Sequence, residues 1–293
     1  MNFPARRVYT VPLPDNESLR LGERPLIMGI LNVSPDSFAE TASYLDPAAA
    51  VDAALQMEAD GADLIDVGGE STRPGALPVS LDDELARVVP VLTALRARVR
   101  VPLSIDTTKA GVARAALGEG AAIVNDISGL RYDPPLARVV ADAGAALVLM
   151  HMRGRPDTMY EEAVYTDLFG AVIAEVRVSI GVAVQAGVPI DQIIVDPGIG
   201  FAKRPSHSYG VLARLSEFAA ALDRPVLAGV SRKSYLRDAA GGRPAARRDW
   251  GTAAAVTAAV LAGAHIVRVH AVAEMVQVVR VAEEIRNASG HSA

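Results

Sequence analysis

Polar and charged side chains recur at the ends of short apolar runs, and their types define the chemistry open to this sequence. They are Asn32, Asp66, Asp106, Asn125, His151, Asp196, the Ser231-Arg232-Lys233 triplet, and Arg268 with His270. Three carboxylates and two amides suit a flat heterocycle with donor and acceptor edges. A carboxylate accepts two hydrogen bonds from an amino-amidine edge, and an Asn amide reads a neighbouring N and NH. Guanine-like rings and pterins both present such an edge. Lys233 and Arg268 add positive charge, and the guanidinium with His270 two residues along suits an anionic group such as a phosphate. Gly68-Gly69, Gly198 and Gly200 let backbone approach a ligand closely. Helix capping accounts for single members of the set, since Asp and Asn commonly start helices, but poorly for all of them together. His270 also fits an exposed strand end. Lys233 also fits a surface lysine at a helix start, although a cation is electrostatically disfavoured there.

Several other chemistries are excluded. Ser231 and Ser234 lack the context of a nucleophile elbow. Paired carboxylates can hydrolyse glycosides, but such sites add aromatic platforms and only 4% of this chain is aromatic. With no Cys among 293 residues, disulfides, thiolate zinc sites and cysteine nucleophiles are absent. DPGIGFAK contains Gly-x-Gly without the third glycine or the preceding βαβ context of a dinucleotide site. A net charge of −5 argues against a nucleic-acid partner. Residues 1–16 have no apolar stretch and are broken by Pro4, Pro12 and Pro14, unlike a signal peptide. Residues 250–267 carry no charge and approach membrane-spanning length. They are mostly Ala and contain Thr252, Thr257, Gly263 and His265, which fits a buried helix followed by a short strand. A soluble, cytoplasmic protein with no membrane partner is expected.

The elements that must position these side chains are legible in the spacing. Apolar runs at 26–31, 62–67, 101–105, 121–124, 146–150, 193–195, 226–230 and 265–269 are each followed by a helix-like stretch. Uninterrupted runs of this length fit parallel strands covered on both faces. Gly61, Gly144, Gly187 and Gly263 sit where such a helix should end, just before the next strand. Eight strand–helix units favour an α/β fold of the (β/α)8 TIM-barrel type, whose chemistry sits at the C-terminal strand ends. The expected organisation is a single domain over 25–288 behind an N-terminal extension over 1–24. Arg243, Arg247 and Arg248 read as a solvated loop. Val272, Met275, Val276, Val279 and Ala282 form a helical stripe that should pack on the barrel.

The segments MGILNVSPDSF (28–38), LIDVGGESTRPG (64–75), SIDTTK (104–109), NDISG (125–129), LMHM (149–152), DPGIGFAK (196–203), GVSRKS (229–234) and IVRVH (266–270) resemble dihydropteroate synthases. The resemblance runs in order from 26 to 285. It implies a (β/α)8 transferase of folate biosynthesis that joins 4-aminobenzoate to 6-hydroxymethyl-7,8-dihydropterin diphosphate and releases diphosphate. By position, Asp106, Asn125, Asp196 and Lys233 would hold the pterin. Asn32, Thr72, Arg268 and His270 would handle the diphosphate, Asn32 through Mg²⁺. Thr72, Arg73, Phe201 and Ser234 would border the aminobenzoate, with Ser234 at a predicted helix start whose N–H groups favour a carboxylate. Asp106, Asp196, Lys233 and Arg268 would be the catalytic set in a dissociative displacement needing no protein nucleophile. The family also implies a homodimer.

Three positions depart from the family pattern: Glu40-Thr41-Ala42 stands in place of an Asp-Gly-Gly turn, Ala271 replaces an acidic residue, and Arg237 replaces a Gly. Loss of two glycines would stiffen a loop that must fold over the substrates. A pterin-binding methyltransferase domain would share the barrel but would not need the Ser-Arg-Lys-Ser loop together with Arg268 and His270. A pterin binder without turnover is the alternative prompted by the altered first loop. Asn32, Asp106, Asn125, Asp196, Lys233 and Arg268, all present, favour catalysis.

Overall fold

Alternation along each apolar run builds the architecture. A computed structural model describes residues 3–33 and 46–290. A two-stranded antiparallel hairpin comes first, β1 (Tyr9–Pro12) and β2 (Ser18–Leu21). Eight parallel strands follow: β3 (Leu26–Asn32), β4 (Leu64–Gly68), β5 (Leu103–Asp106), β6 (Ile123–Asp126), β7 (Ala146–Met150), β8 (Ile193–Asp196), β9 (Leu227–Gly229) and β10 (Ile266–Val269). They are ordered β8-β7-β6-β5-β4-β3-β10-β9. A bridge between Val195 and Val226 joins the two ends, and Val195 N donates to the Pro225 carbonyl at 3.0 Å. The sheet is thereby rolled into the expected barrel.

Each strand divides its side chains by parity. Ile65, Val67, Ile105, Val124, Leu147, Leu149, Ile193, Val195, Val267 and Val269 face outward into the core shared with the helices. Met28, Leu64, Ile123, Val148, Ile194, Leu227 and Ile266 face inward and form a separate core in the lower barrel. One pleat higher the inward positions turn polar. Leu64 is followed by Asp66, Ile123 by Asn125, Ile194 by Asp196 and Ile266 by Arg268. The barrel is thus oily at its N-terminal end and polar at its C-terminal mouth.

The hairpin closes the oily end. Val11, Leu13, Leu19 and Leu21 are buried against that lower core, each contributing about 1.5–3 kcal/mol by burial. Leu13 and Glu17 close the turn, and His265 ties the hairpin down through the Arg7 carbonyl, 3.0 Å from Nε2.

The outer layer is α1 (Pro47–Ala59), α2 (Leu81–Leu95), α3 (Ala110–Gly118), α4 (Leu136–Ala143), α5 (Leu168–Gln185), α6 (Pro205–Ala213), α7 (Leu215–Leu222), α8 (Asp249–Leu261) and α9 (Val272–Gly290). Asp46, Ser80 and Asp167 cap α1, α2 and α5 through their side chains. Gly61, Gly144, Gly187 and Gly263 all have positive φ, as helix-ending glycines should. The uncharged Ala-rich stretch is α8 running into β10, and the apolar stripe of α9 is buried. Among the described residues, the helix whose length and mean hydropathy of 1.6 suffice to cross a membrane is α5. In the barrel it crosses from β7 to β8 and packs inward through Val172, Val176 and Ala183.

Candidate active site

The mouth of the barrel opens into a cavity of about 310 Å³. The structure brings Asn32, Thr72, Arg73, Asp106, Phe201, Lys233, Ser234, Arg268 and His270 to its wall. Asn125 and Asp196 do not line it directly. They sit in the floor, each 4% exposed.

Arg268 organises one side of the floor. Its Nε donates to Asp66 Oδ2 at 2.6 Å and its Nη2 to Asp106 Oδ2 at 2.7 Å. Asn125 Nδ2 donates to the same Asp66 oxygen at 2.9 Å. That bond fixes the Asn125 amide, leaving Oδ1 as an acceptor and one N–H as a donor. Asp66 is fully buried, and its Oδ1 makes no hydrogen bond. Burial pushes the Asp106 carboxyl up to about 7, with the Asp66 charge adding and Arg268 opposing. The sequence counted Asp66 among three carboxylates meeting the heterocycle, but it is fully buried and does not line the cavity. Its position one pleat below the mouth makes it the residue that orients both Asn125 and Arg268.

Asp196 and Lys233 organise the other side. A Cβ on Gly229 would lie 3.4 Å from Asp196 Oδ2 and 3.3 Å from Lys233 Nζ, so the bare glycine opens both groups to the cavity. Asp196 Oδ1 accepts from Gly198 N at 2.7 Å. Lys233 Nζ donates to the Ile199 carbonyl at 2.6 Å and lies 4.3 Å from the centroid of the Phe201 ring. Burial lowers the Lys233 ammonium to about 8 and raises the Asp196 carboxyl, each countered by the other's charge.

Beside Arg268 the wall carries His270, whose Nδ1 lies 2.9 Å from Ser231 Oγ. Desolvation, then the charges of Arg232 and Arg268, hold its imidazole well below its ordinary range, so it serves as a neutral ring near pH 7. His270 is therefore part of the cavity wall and not a free strand end. Lys233 likewise belongs to the cavity and not to the surface.

Thr72 and Arg73 ride on the loop after β4. That loop is fixed by the Lys109–Glu70 and Lys109–Glu84 ion pairs and by Arg87 Nη1 donating to the Gly69 carbonyl at 2.8 Å. On the opposite rim Arg232, at φ +57°, pairs with Asp249 at 2.7 and 2.8 Å.

Two expectations change. Arg248 is not in a solvated loop: it is 9% exposed, lines the cavity, and its Nη1 donates to the carbonyls of Arg232 and Lys233 at 3.1 and 3.3 Å. The carbonyls of a tight loop had to be satisfied, and the last arginine of the basic cluster does it. Ser234 does not begin a helix with a useful dipole. It opens a single 3-10 turn, Ser234–Leu236, and its hydroxyl is 2.7 Å from Tyr160 Oη. Of the positions departing from the family pattern, Arg237 is exposed, Ala271 is not on the cavity wall, and Glu40-Thr41-Ala42 lies outside the described residues.

A family profile described as pterin binding enzyme matches residues 28–270. A dihydropteroate synthase of Synechocystis sp. is 43% identical over 278 residues, spanning 94% of this chain and 96% of the relative. The chain belongs to the dihydropteroate synthase family. Solved structures of the family agree with the fold. The dihydropteroate synthase of Burkholderia cenocepacia, complexed with 7,8-dihydropteroate, matches with a TM-score of 0.86 at 41% identity, covering 98% of this chain and all (100%) of that one. That of Xanthomonas albilineans, with 4-aminobenzoic acid, gives 0.85 at 39% identity, covering 94% of this chain and 99% of that one.

Proposed function

We propose that this cavity condenses 6-hydroxymethyl-7,8-dihydropterin diphosphate with 4-aminobenzoate, giving 7,8-dihydropteroate and diphosphate. The observation that carries this reading is the floor itself, where two carboxylates and one oriented amide meet two cations around a single opening. Asp196 accepts two hydrogen bonds from the amino-amidine edge of the pterin. Asn125, held by Asp66, offers Oδ1 to a ring N–H or amino group and its second N–H to a ring nitrogen. Lys233 donates at the opposite edge, and Asp106 lies beside the ring.

The C–O bond to diphosphate breaks first, leaving a methylene cation conjugated with the pterin. Asp106 and Asp196 stabilise that charge, while Arg268 stabilises the departing diphosphate together with Thr72 and neutral His270. The arylamine held between Phe201, Arg73, Thr72 and Ser234 then attacks. A C–N bond forms, one amine proton is released, and no protein nucleophile takes part.

Mg²⁺ fits the same side. Asn32 Oδ1 lies near the Asp106 side chain across Gly68, and no cluster of three or more His, Cys, Asp or Glu occurs among the described residues. Asn32 would hold a hard cation that takes its other ligands from water and diphosphate oxygens, where it would offset leaving-group charge.

Cytoplasmic residence and a homodimer belong to this reading. The face of α6 and α8 supports the dimer. Trp250 is 90% and Tyr209 40% exposed there, beside a groove of about 730 Å³. Trp250→Glu should convert a dimer to monomer in sedimentation, and an unchanged sedimentation coefficient would remove this face from consideration. The activity is tested by turnover with both substrates and Mg²⁺. Dihydropteroate and diphosphate formed only when both substrates are present, and lost with EDTA, are expected. Pterin bound without turnover would overturn the reading.

A further inference from the structure

The turn after β8 is clamped by four side chains, of which Ser208, Lys203 and Tyr165 take no part in the chemistry above. Between 199 and 202 four peptide groups are held by side chains. The Ile199 carbonyl accepts from Lys233 Nζ at 2.6 Å, Gly200 N donates to Ser208 Oγ at 3.2 Å, the Phe201 carbonyl accepts from Lys203 Nζ at 3.2 Å, and the Ala202 carbonyl accepts from Tyr165 Oη at 2.8 Å. Ala202 sits at φ +46°, a left-handed conformation that a residue with a Cβ adopts at a cost of about 1 kcal/mol. A conformation that costs energy persists where surrounding contacts over-determine it, and here they do.

Lys203 is the unusual member. It is 1% exposed and among the largest fully buried side chains of the described residues. Its Nζ lies 2.8 Å from His151 Nδ1, and His151 Nε2 lies 3.0 Å from Glu175 Oε2. The Glu175 carboxylate requires a hydrogen on Nε2, so Nδ1 is left as the acceptor for Lys203. Desolvation drives both Lys203 and His151 toward their neutral forms, His151 to about 4. A neutral amine still has two hydrogens, enough for Nδ1 and the Phe201 carbonyl. Arginine would carry a charge it cannot shed.

We propose that Lys203, seated by His151 and Glu175, is a positioning residue for the arylamine subsite: by holding the Phe201 carbonyl it fixes the Phe201 ring against the cavity. The inference rests on the reading that Phe201 borders the aminobenzoate. Lysine at 203 thereby sets how well the second substrate is oriented, without touching it.

The test is steady-state kinetics of the intact protein with each substrate varied in turn. Lys203→Met keeps an unbranched side chain one atom shorter and removes the donor. It should raise the KM for 4-aminobenzoate roughly tenfold, the scale of loss for a misplaced contact, and change the KM for the pterin diphosphate less than about twofold. Phe201→Ala should move the same parameter, and Lys203→Met added to Phe201→Ala should add less than about twofold, because the group it positions is gone. Where Lys203→Met does not fold, Glu175→Gln gives the same selective effect in weaker form. Equal rises in both KM values, or full additivity in the double variant, overturn the proposal. Phe201→Ala without effect on aminobenzoate overturns the subsite reading, and the proposal with it. An effect of Phe201→Ala alone, with Lys203→Met silent, overturns only the proposal.

Discussion

The free protein's kcat/KM for the pterin diphosphate should trace a narrow bell against pH. Asp106 must be ionised to face a developing cation, and its carboxyl is pushed up to about 7 by burial. Lys233 must be protonated to donate to the ring, and its ammonium is lowered to about 8, again by burial. As pH falls through 7 the carboxylate is lost, and as pH rises through 8 the ammonium is lost. With limbs one unit apart, the competent form peaks at about 60% near pH 7.5 and drops to about 10% at pH 6 and pH 9, a roughly sixfold to sevenfold loss on each side. Asp106→Asn should flatten the limb near 7, leaving only curvature from Asp196 and from the substrate's own diphosphate. Asp66→Asn removes a negative charge that raises Asp106, so its acid limb should move to lower pH. A profile flat within twofold between pH 6 and 9, or an acid limb that moves upward in Asp66→Asn, would refute this electrostatic account.

Arg268→Ala should raise the KM for the pterin diphosphate far more than that for aminobenzoate. It should also cost about 3 kcal/mol of stability, because Asp66 and Asp106 lose their shared counter-ion; urea unfolding checks the second part. Gly198→Ala should destabilise by more than about 2 kcal/mol, since a Cβ there would lie 1.8 Å from the His151 carbonyl oxygen at φ +67°; a wild-type midpoint would contradict it. His265 is held near 4 by burial, so the folded protein keeps it neutral while the unfolded chain protonates it below about 6.5. The stability advantage of wild type over His265→Gln should be full above pH 6.5. It should shrink by about 1.4 kcal/mol per unit as pH falls toward 4, and a constant difference across that window would count against it.

Strand positions and the mouth-facing set were legible because two periodicities coincide in each run. Ile194 and Asp196 share one parity, Ile193 and Val195 the other, so the residue that ends the apolar run must point into the barrel mouth. What the spacing did not show were relations made only by closure of the barrel. Asp66 looks like any strand-end carboxylate until Asn125 and Arg268, 59 and 202 residues away, converge on one of its oxygens. Arg248 looks like its neighbours Arg243 and Arg247, yet it alone of the three is buried, by two carbonyls that need a donor. Lys203 gives no local sign of burial. Its partners come from the ends of β7 and the body of α5, and only their convergence makes a lysine acceptable in the interior.

The hairpin at the oily end has a consequence for the order of assembly. β1 and β2 precede every barrel strand in the chain, yet the floor they cover includes Leu227 and Ile266. Arg6 pairs with Glu283 in α9, 277 residues along the chain. Such contacts have extreme sequence separation, and closing loops of that length precedes any gain from them. The hairpin cannot bury Val11, Leu19 and Leu21 fully until β10 has taken its place beside β3. Docking of the hairpin is a late folding event. Until the barrel has closed, those apolar side chains lack the floor that covers them in the folded protein.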